Sequence, residues 1–533
     1  MDREFDETCD AVVVGAGFAG LYMLHKFREL GLTVSVFEAG SDIGGTWFWN
    51  RYPGARCDIE SMEYSYQFSE ALQQEWEWTE KYATQGEILT YMNHVADRFD
   101  LRRDIQLNTS VESAHFDPET DRWLVRTSDG KATSAQFVVM ATGCLSSTNL
   151  PDFEGLENYQ GDWYHTGNWP HEGVDFTGKR VAVVGTGSSA IQSIPLIAEQ
   201  AENLTVFQRT PNYSVPAHNA LLDPEKVAAI KNNYRSFREQ NKLFPFGADF
   251  GATELNAVDV SEADRQDEYE ARWERGGLPF LGAYDDLVFS KEANDTVADF
   301  LKEKIASIVD DEAVADLLTP RTVVGCKRLC VDTGYFATFN RDDVELVDVS
   351  GCPIEEITET GIRTGDQSRD FDAIVFATGF DAMTGAILKV DIRGRDGVTL
   401  EEKWAEGPRT YLGLTSVGFP NLFTITGPGS PSVLTNMLPS IEQHVEFIGD
   451  TVAYMTQRGY ECIEATESAQ EDWVAHVNEV ADTTLFPTCN SWYLGSNVPG
   501  KPRVFMPYLG FPAYVEKCNE VVAGGYDGFA MSA

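Results

Sequence analysis

Two glycine clusters define the first chemistry available to this sequence. Gly15, Gly17 and Gly20 make a GxGxxG pattern; Gly185, Gly187 and Ala190 make a GxGxxA variant with Ser188 inside it. Glycines at these spacings allow a tight turn, close backbone approach to a pyrophosphate and close helix–strand packing. The two clusters lead to different residues downstream. Glu38, 23 residues after Gly15, can accept hydrogen bonds from a ribose with a free 2′-hydroxyl, which suits FAD or NAD rather than NADP. The second cluster leads to Gln208-Arg209-Thr210, and the planar fork of an arginine suits a 2′-phosphate. The first site therefore reads as FAD and the second as NADPH. Hydride passing from NADPH to a flavin must go on as electrons to a disulfide, a quinone, another carrier or oxygen. A disulfide reductase needs a cysteine pair at the flavin. The one close pair, Cys326 and Cys330, lies far downstream in a basic loop, so oxygen is the stronger candidate.

Such turns must sit between strands and helices. Ala11–Val14 is a continuous apolar run, as expected of a buried parallel strand, and a helix-like LYMLHKFREL comes after the glycines. Its N-terminus would face the phosphates. Thr33–Phe37 supplies the next strand; Arg180–Val184 and Leu204–Phe207 repeat the arrangement. Two more apolar runs, Phe137–Ala141 and Ala373–Ala377, each break at Thr-Gly, where the chain can pass close to a cofactor. The predicted class is α/β, with two nested Rossmann-like dinucleotide-binding domains.

Composition narrows the partners. The chain has 533 residues, 43% hydrophobic and 23% charged, which excludes global disorder, collagen and coiled coil. Acids outnumber bases 84 to 41, a net charge of -43, so nucleic acid and anionic membranes are poor partners. No apolar run reaches the length of a spanning helix. The acids run from Asp2 to Asp527, and only 15 of the bases are Lys. Self-repulsion on this scale is screened at molar salt, where the Debye length is about 3 Å; the surface reads as salt-adapted. Nine scattered cysteines without a CxxC spacing, and an acidic start without a signal peptide, lead us to expect a cytoplasmic protein with reduced thiols. No metal site is expected.

Tyr159-Gln160-Gly161-Asp162-Trp163-Tyr164-His165-Thr166-Gly167-Asn168-Trp169-Pro170 is similar to the FxGxxxHxxxWP motif of type I Baeyer–Villiger monooxygenases, with Tyr159 at the Phe position. The resemblance continues through Gly44–Asp58, Gly325–Arg328, Gly427–Pro431 and Asn490–Gly495, and so covers nearly the whole chain. It implies that NADPH reduces FAD, that oxygen forms a C4a-peroxyflavin, and that this attacks a ketone to give an ester or lactone while NADP⁺ stays bound. Arg328 matches the family's catalytic cation, a role suited to a group that always carries charge, and Asp58 its carboxylate partner. Gly45, Thr46 and Trp47 match the flavin-binding stretch. Lys327 is implied to join Arg209 at the 2′-phosphate, with Thr210 adding a hydroxyl. Trp492 matches a residue beside the nicotinamide ribose, or serves as a core tryptophan. His165, with Gly161, Trp169 and Pro170, is implied to couple domain motion rather than transfer a proton, or to be a hydrogen-bonded loop histidine. Ser432, Val433 and Leu434 match a substrate-pocket loop, to which residues 244–250 would add.

The implied organisation is an FAD domain from residues 1–150 and 383–533, and an NADP domain from 151–220 and 325–382. A helical insertion at 221–324 carries apolar residues at helical spacing and would cover the substrate. The partners implied are a ketone and oxygen, and the chain is expected to be a monomer. Two rival readings stay open: a flavin monooxygenase acting on nitrogen or sulfur, and a non-catalytic nucleotide-binding redox sensor. A sensor has no need of the set Asp58, Lys327 and Arg328.

Overall fold

The β-branched run at the start of the chain forms strand Glu7–Val14, with Ala11, Val12 and Val13 fully buried. It lies at the centre of an eight-stranded sheet, paired in parallel with Val34–Phe37 on one side and Ala132–Met140 on the other. Register is fixed residue by residue, Val13 facing Val36 and Val139. Beyond Ala132–Met140 the sheet turns antiparallel through Arg122–Thr127 and Val111–Asp117. The late strands Asp391–Arg393 and Leu422–Thr424 return to it, so the first part of the chain and a segment from beyond residue 390 share one sheet. The computed structural model describes residues 5–496, 498, 500 and 508–533; the first four residues of the acidic start lie outside these.

A second sheet is wholly parallel, in the order Val344–Asp348, Asn203–Gln208, Arg180–Val184, Ala373–Phe376 and Asp162–His165. Its three inner strands are short and largely apolar, buried beneath helices such as Ser188–Ala198 and Tyr335–Thr338, as a parallel sheet requires; the edge strands Val344–Asp348 and Asp162–His165 are partly exposed. A small antiparallel sheet, Ile354–Ile357, Gly361–Thr364 and Gln367–Asp370, packs beside it. Together these give the α/β fold with two nucleotide-type sheets that the sequence predicted.

From residue 221 to 324 the chain is built of helices: Pro224–Asn232, Tyr234–Asn241, Glu262–Arg275, Lys291–Ile308 and Glu312–Leu318. Much of this segment packs against the first sheet's side. Tyr234, Tyr269, Trp273, Phe280 and Phe300 share a core with Tyr66, Tyr82 and Tyr91. Buried Arg238 donates to the Glu63 carbonyl at 2.6 Å, and Tyr234 Oη to the Met62 carbonyl at 2.9 Å. A two-stranded parallel pair, Ser214–Pro216 with Cys330–Asp332, brings the chain just after Arg209 alongside the chain just after Arg328.

The expectation of reduced thiols throughout is corrected at one place. Cys326 and Cys489 are joined by a disulfide, with Cα atoms 6.0 Å apart and 163 residues between them in sequence. The other seven cysteines are unpaired, and only Cys352 among them is exposed. No local spacing announces the pair, because two distant loops bring it together. Among the described residues no helix is long and apolar enough to cross a membrane, and no cluster of His, Cys, Asp or Glu could hold a metal ion.

Candidate active site

Both glycine turns are gripped in the same way. Gly15 has φ +102°, and a Cβ there would lie 2.7 Å from the Ala141 carbonyl oxygen; Gly185 has φ +118°, and its Cβ would lie 2.4 Å from the Ala377 oxygen. Each turn therefore presses on the Ala-Thr-Gly end of a neighbouring strand, which is why both sequences are small there. Gly17 and Gly187 open the helices Phe18–Glu29 and Ser188–Ala198, whose free N–H groups form an anion site. A Cβ on Gly187 would meet nothing within 4 Å, and one on Gly20 would collide with the Gly15 oxygen. Across from Gly17 stands Gly45, φ +52°, whose Cβ would be 2.9 Å from the Gly17 Cα. It leads into the short helix Thr46–Trp49, with Thr46 exposed and Trp47 buried.

Glu38 is 5% exposed and its carboxylate accepts from the N–H groups of Ala16 and Gly40, both at 2.7 Å. Burial pushes its pKa up, while those two bonds favour the charged form. The acid thus ends its strand at the first glycine turn, where a ribose would lie.

At the second turn a cation pair gathers. Burial, and then the nearby Arg209 charge, push the Lys327 amine down. Lys327 is half-buried and Arg209 exposed, and neither has a carboxylate within ion-pair distance among the described residues. In a chain with twice as many acids as bases, adjacent unneutralised cations mark an anion site. Thr210 lies beside them, its carbonyl accepting from Thr186 Oγ1 at 2.8 Å. Ser188 Oγ is 3.2 Å from Cys330 Sγ, at the helix start that faces the same space.

Arg328 and Asp58, 270 residues apart, meet in a two-point fork: Nε donates to Oδ2 at 2.5 Å and Nη2 to Oδ1 at 2.8 Å. The third bond, Nη1 to the Val433 carbonyl at 3.0 Å, reaches the Ser432–Leu434 turn, which is buried throughout. Burial opposes the guanidinium charge, but Asp58 more than offsets this and the Arg328 pKa is raised. A guanidinium has five N–H donors; three are used among the described residues, which leaves two without a partner there. Ser432 holds φ +42° and its hydroxyl donates to the Thr426 carbonyl at 3.2 Å.

The predicted linker residues fall where two motifs touch. His165 ends a strand of the second sheet and is 5% exposed. Its Nδ1 accepts from the Gly167 N–H at 3.0 Å, and Nε2 lies 3.3 Å from Thr378 Oγ1, in the second Ala-Thr-Gly end. Burial pushes its pKa down, and an Nδ1 that accepts from a backbone N–H holds the ring as a hydrogen-bonded loop histidine. The Trp169 N–H donates to the Trp49 carbonyl at 3.3 Å, Pro170 is half-buried, and a Cβ on Gly161 would strike Tyr159 Oη at 2.4 Å. Trp492 is half-buried beside Tyr493, ring centroids 4.4 Å apart, at the edge of a cluster containing Cys144, Val433 and Leu434.

Sequence reasoning missed the phenols around Asp58. Tyr52, Tyr64, Tyr82 and Tyr493 all have raised pKa values, from burial first, with Asp58 a further cause in each. Tyr493 also feels Arg328 directly. Tyrosine is common in cores, so no signal beyond Tyr493's place in the Asn490–Gly495 motif could have singled it out. A narrow crevice with room for about one water-sized group opens beside Asp58, lined among others by Glu63, Tyr82, Asp249, Phe250 and Leu278. Of the 244–250 stretch, Asp249 and Phe250 reach it.

Comparison with known proteins covers the whole chain. The family described as pyridine nucleotide-disulphide oxidoreductase matches residues 12–243. A protein described as a Baeyer-Villiger monooxygenase from Pseudooceanicola batsensis is 44% identical, over 97% of this chain and 95% of that one. Phenazine N-monooxygenase PhzNO1 of Lysobacter antibioticus is 40% identical, over 98% and 97%. Among solved structures, an oxidised steroid monooxygenase bound to NADP superposes with a TM-score of 0.94 at 54% identity, covering 98% of this chain and 99% of that one.

Proposed function

The chain belongs to the Baeyer–Villiger monooxygenases, and on that footing we propose that its site uses NADPH and oxygen to turn ketones into esters or lactones. One observation carries the reading: a fixed guanidinium, forked onto Asp58 and tied to the Val433 carbonyl, keeps two N–H donors free among the described residues, next to a cation pair that no described carboxylate neutralises.

The residues present fit both cofactors. FAD, when bound, supplies the activation of oxygen, and NADPH supplies the hydride. Gly15, Gly17, Gly20 and Glu38 hold the flavin nucleotide's phosphates and ribose, and Gly45, Thr46 and Trp47 line its path. Gly185, Gly187, Ser188, Arg209, Thr210 and Lys327 hold NADPH through the helix start and the 2′-phosphate, with Trp492 packing near the nicotinamide end. Arg328 offers its two free N–H groups to negative charge developing on oxygen, and Asp58 keeps the fork aimed. Preorganised donors in a site shielded from water are usually the largest catalytic contribution. Ser432, Val433 and Leu434 line the ketone pocket. His165, with Gly161, Trp169 and Pro170, links the two nucleotide units and transfers no proton. The same reading divides the chain into an FAD domain (1–150 and 383–533), an NADP domain (151–220 and 325–382) and a helical insertion (221–324). It takes the enzyme to be a cytoplasmic monomer.

A ketone panel, aliphatic and aromatic, with products identified by gas chromatography, tests the proposal. It expects NADPH oxidation stimulated by ketone and a matching yield of ester. A second reading, oxygenation of nitrogen, is favoured by the likeness to the phenazine N-monooxygenase. N-oxide from a heteroaromatic amine, with no ester from any ketone, would select it. Ketone-stimulated turnover eliminates a non-catalytic sensor.

A further inference from the structure

The disulfide sits where the proposed chemistry is most exposed to disturbance. Cys326 directly precedes Lys327 and Arg328, in a turn where its N–H donates to the Val323 carbonyl at 3.2 Å. Cys489 comes after the short turn Phe486–Thr488 and leads straight into Ser491–Gly495, which carries Trp492 and Tyr493. Neither cysteine lies in a strand of the two large sheets, and the link adds nothing to either sheet core. What it does is fasten one loop to another: the loop holding the guanidinium to the loop whose phenol that guanidinium feels.

We propose that Cys326 and Cys489 are a peroxide-responsive dithiol–disulfide site, whose oxidised form clamps the Lys327–Arg328 loop to the Asn490–Gly495 segment. The proposal rests on the oxygenase reading above. Its oxidant is hydrogen peroxide, the two-electron reduction product of oxygen, released when oxygen is activated and no ketone accepts it. Two thiols and one peroxide give one disulfide and two waters. The O–O bond breaks and the S–S bond forms as two electrons pass from the sulfurs to the peroxide oxygens: one thiol becomes a sulfenic acid with release of the first water, and the second thiol attacks that sulfur and displaces its hydroxyl as the second water. A small dithiol returns the pair to thiols by exchange, becoming a disulfide itself.

Two observations favour this site. Lys327, with no carboxylate within ion-pair distance among the described residues, comes directly after Cys326, an electropositive setting that stabilises the attacking thiolate. Cys326 and Cys489 are only 2% and 7% exposed, so a bulky protein oxidant is excluded while a peroxide made in the same site is not. The consequence is feedback. A loosened segment admits water and leaks peroxide; the peroxide closes the disulfide; the closed disulfide restores exclusion of water.

The test uses the FAD-loaded protein, reduced with a small dithiol, desalted and titrated with hydrogen peroxide. Differential alkylation and mass spectrometry follow the 326–489 cross-link, while peroxide release and ester yield per NADPH are measured in each state. The cross-link should re-form at near-stoichiometric peroxide. Peroxide release should be several-fold higher in the reduced protein and fall again on reoxidation, and Cys489→Ser and Cys326→Ser should stay at the high level whatever the redox treatment. Equal peroxide release in both states of the wild type, or a cross-link that does not re-form, overturns the proposal. Absence of ester in every state would instead refute the oxygenase reading, and the thiol titration would still decide whether the pair responds to peroxide.

Discussion

Arg328 and Arg209 are both arginines proposed to meet negative charge, but their surroundings differ. Arg328 is held at three points and keeps two donors free among the described residues, so its removal should reach the chemical step. Arg328→Ala is expected to fold and bind FAD, yet lose about 2.7–4 kcal/mol of stabilisation for the oxygen-transfer step, by analogy with an oxyanion donor. Ester formation would fall accordingly at saturating NADPH. Arg328→Lys should rescue poorly, because a point charge cannot match the fork set by Asp58. Normal ester yield with weakened NADPH binding would mean that Arg328 is only a phosphate contact. Arg209→Ala should cost roughly 10- to 150-fold in NADPH affinity, the worth of one charge-assisted hydrogen bond, and leave NADH binding nearly unchanged. Equal losses with both cofactors would refute the 2′-phosphate assignment. The glycines, Glu38 and Arg209 were legible because their spacing alone carries a physical meaning. The partnership of Asp58 with Arg328 was legible only through family likeness, since nothing local connects positions 270 residues apart. Tyr493 lay inside a family stretch that gave it no role, and the Cys326–Cys489 pair escaped both routes, being ordinary residue types brought together by the fold.

At the level of elements, each glycine turn fits its strand end so closely that there is no room for a methyl group. Gly185→Ala places a Cβ against the Ala377 oxygen at a left-handed φ, a strain of about 1–3 kcal/mol. The expected outcome is impaired NADPH binding with FAD retained, read by titration against the flavin spectrum; unchanged NADPH affinity would contradict the close fit. A second element-level prediction concerns the seam between the helical segment and the turn Ser61–Glu63. Buried Glu63 accepts from Asn241 Nδ2 at 3.2 Å and from the Asp249 N–H at 3.4 Å. Burial, then Glu60, push its pKa up to about 8. An acid with a raised folded pKa binds its proton more tightly when folded, so stability falls as pH climbs from the unfolded value toward the folded one. Wild type should therefore lose Tm between about pH 5 and pH 8, and Glu63→Gln should flatten that part of the profile. Parallel profiles would contradict the assignment. The helices of residues 221–324 were readable from apolar spacing, but periodicity says which face is apolar and not what covers it. Their packing beside Tyr66, Tyr82 and Tyr91 came only with the structure.

Over the whole molecule, the net charge of -43 is a property the sequence displays in full and the fold cannot hide. Many arginines are paired with carboxylates, as at Arg180–Asp372 and Arg341–Asp343, yet twice as many acids as bases leaves a large unpaired excess. If that excess is salt adaptation, Tm should rise between about 0.1 M and 3 M KCl, steeply at first as screening sets in. A flat profile would count against adaptation and weaken the cytoplasmic assignment built on it. None of this bears on the reaction, which rests on two nucleotide turns and one guanidinium drawn from distant parts of the chain. In that reaction one oxygen atom from O₂ enters a ketone at the cost of one NADPH. Its most direct measurement is turnover of a ketone under ¹⁸O₂, with ester and NADPH quantified together and the label located by mass spectrometry. A single labelled oxygen in each ester, and one NADPH oxidised for each ester formed, are expected of the coupled enzyme. NADPH consumed with no ester from any ketone, or ester carrying no label, would contradict the oxygenase assignment.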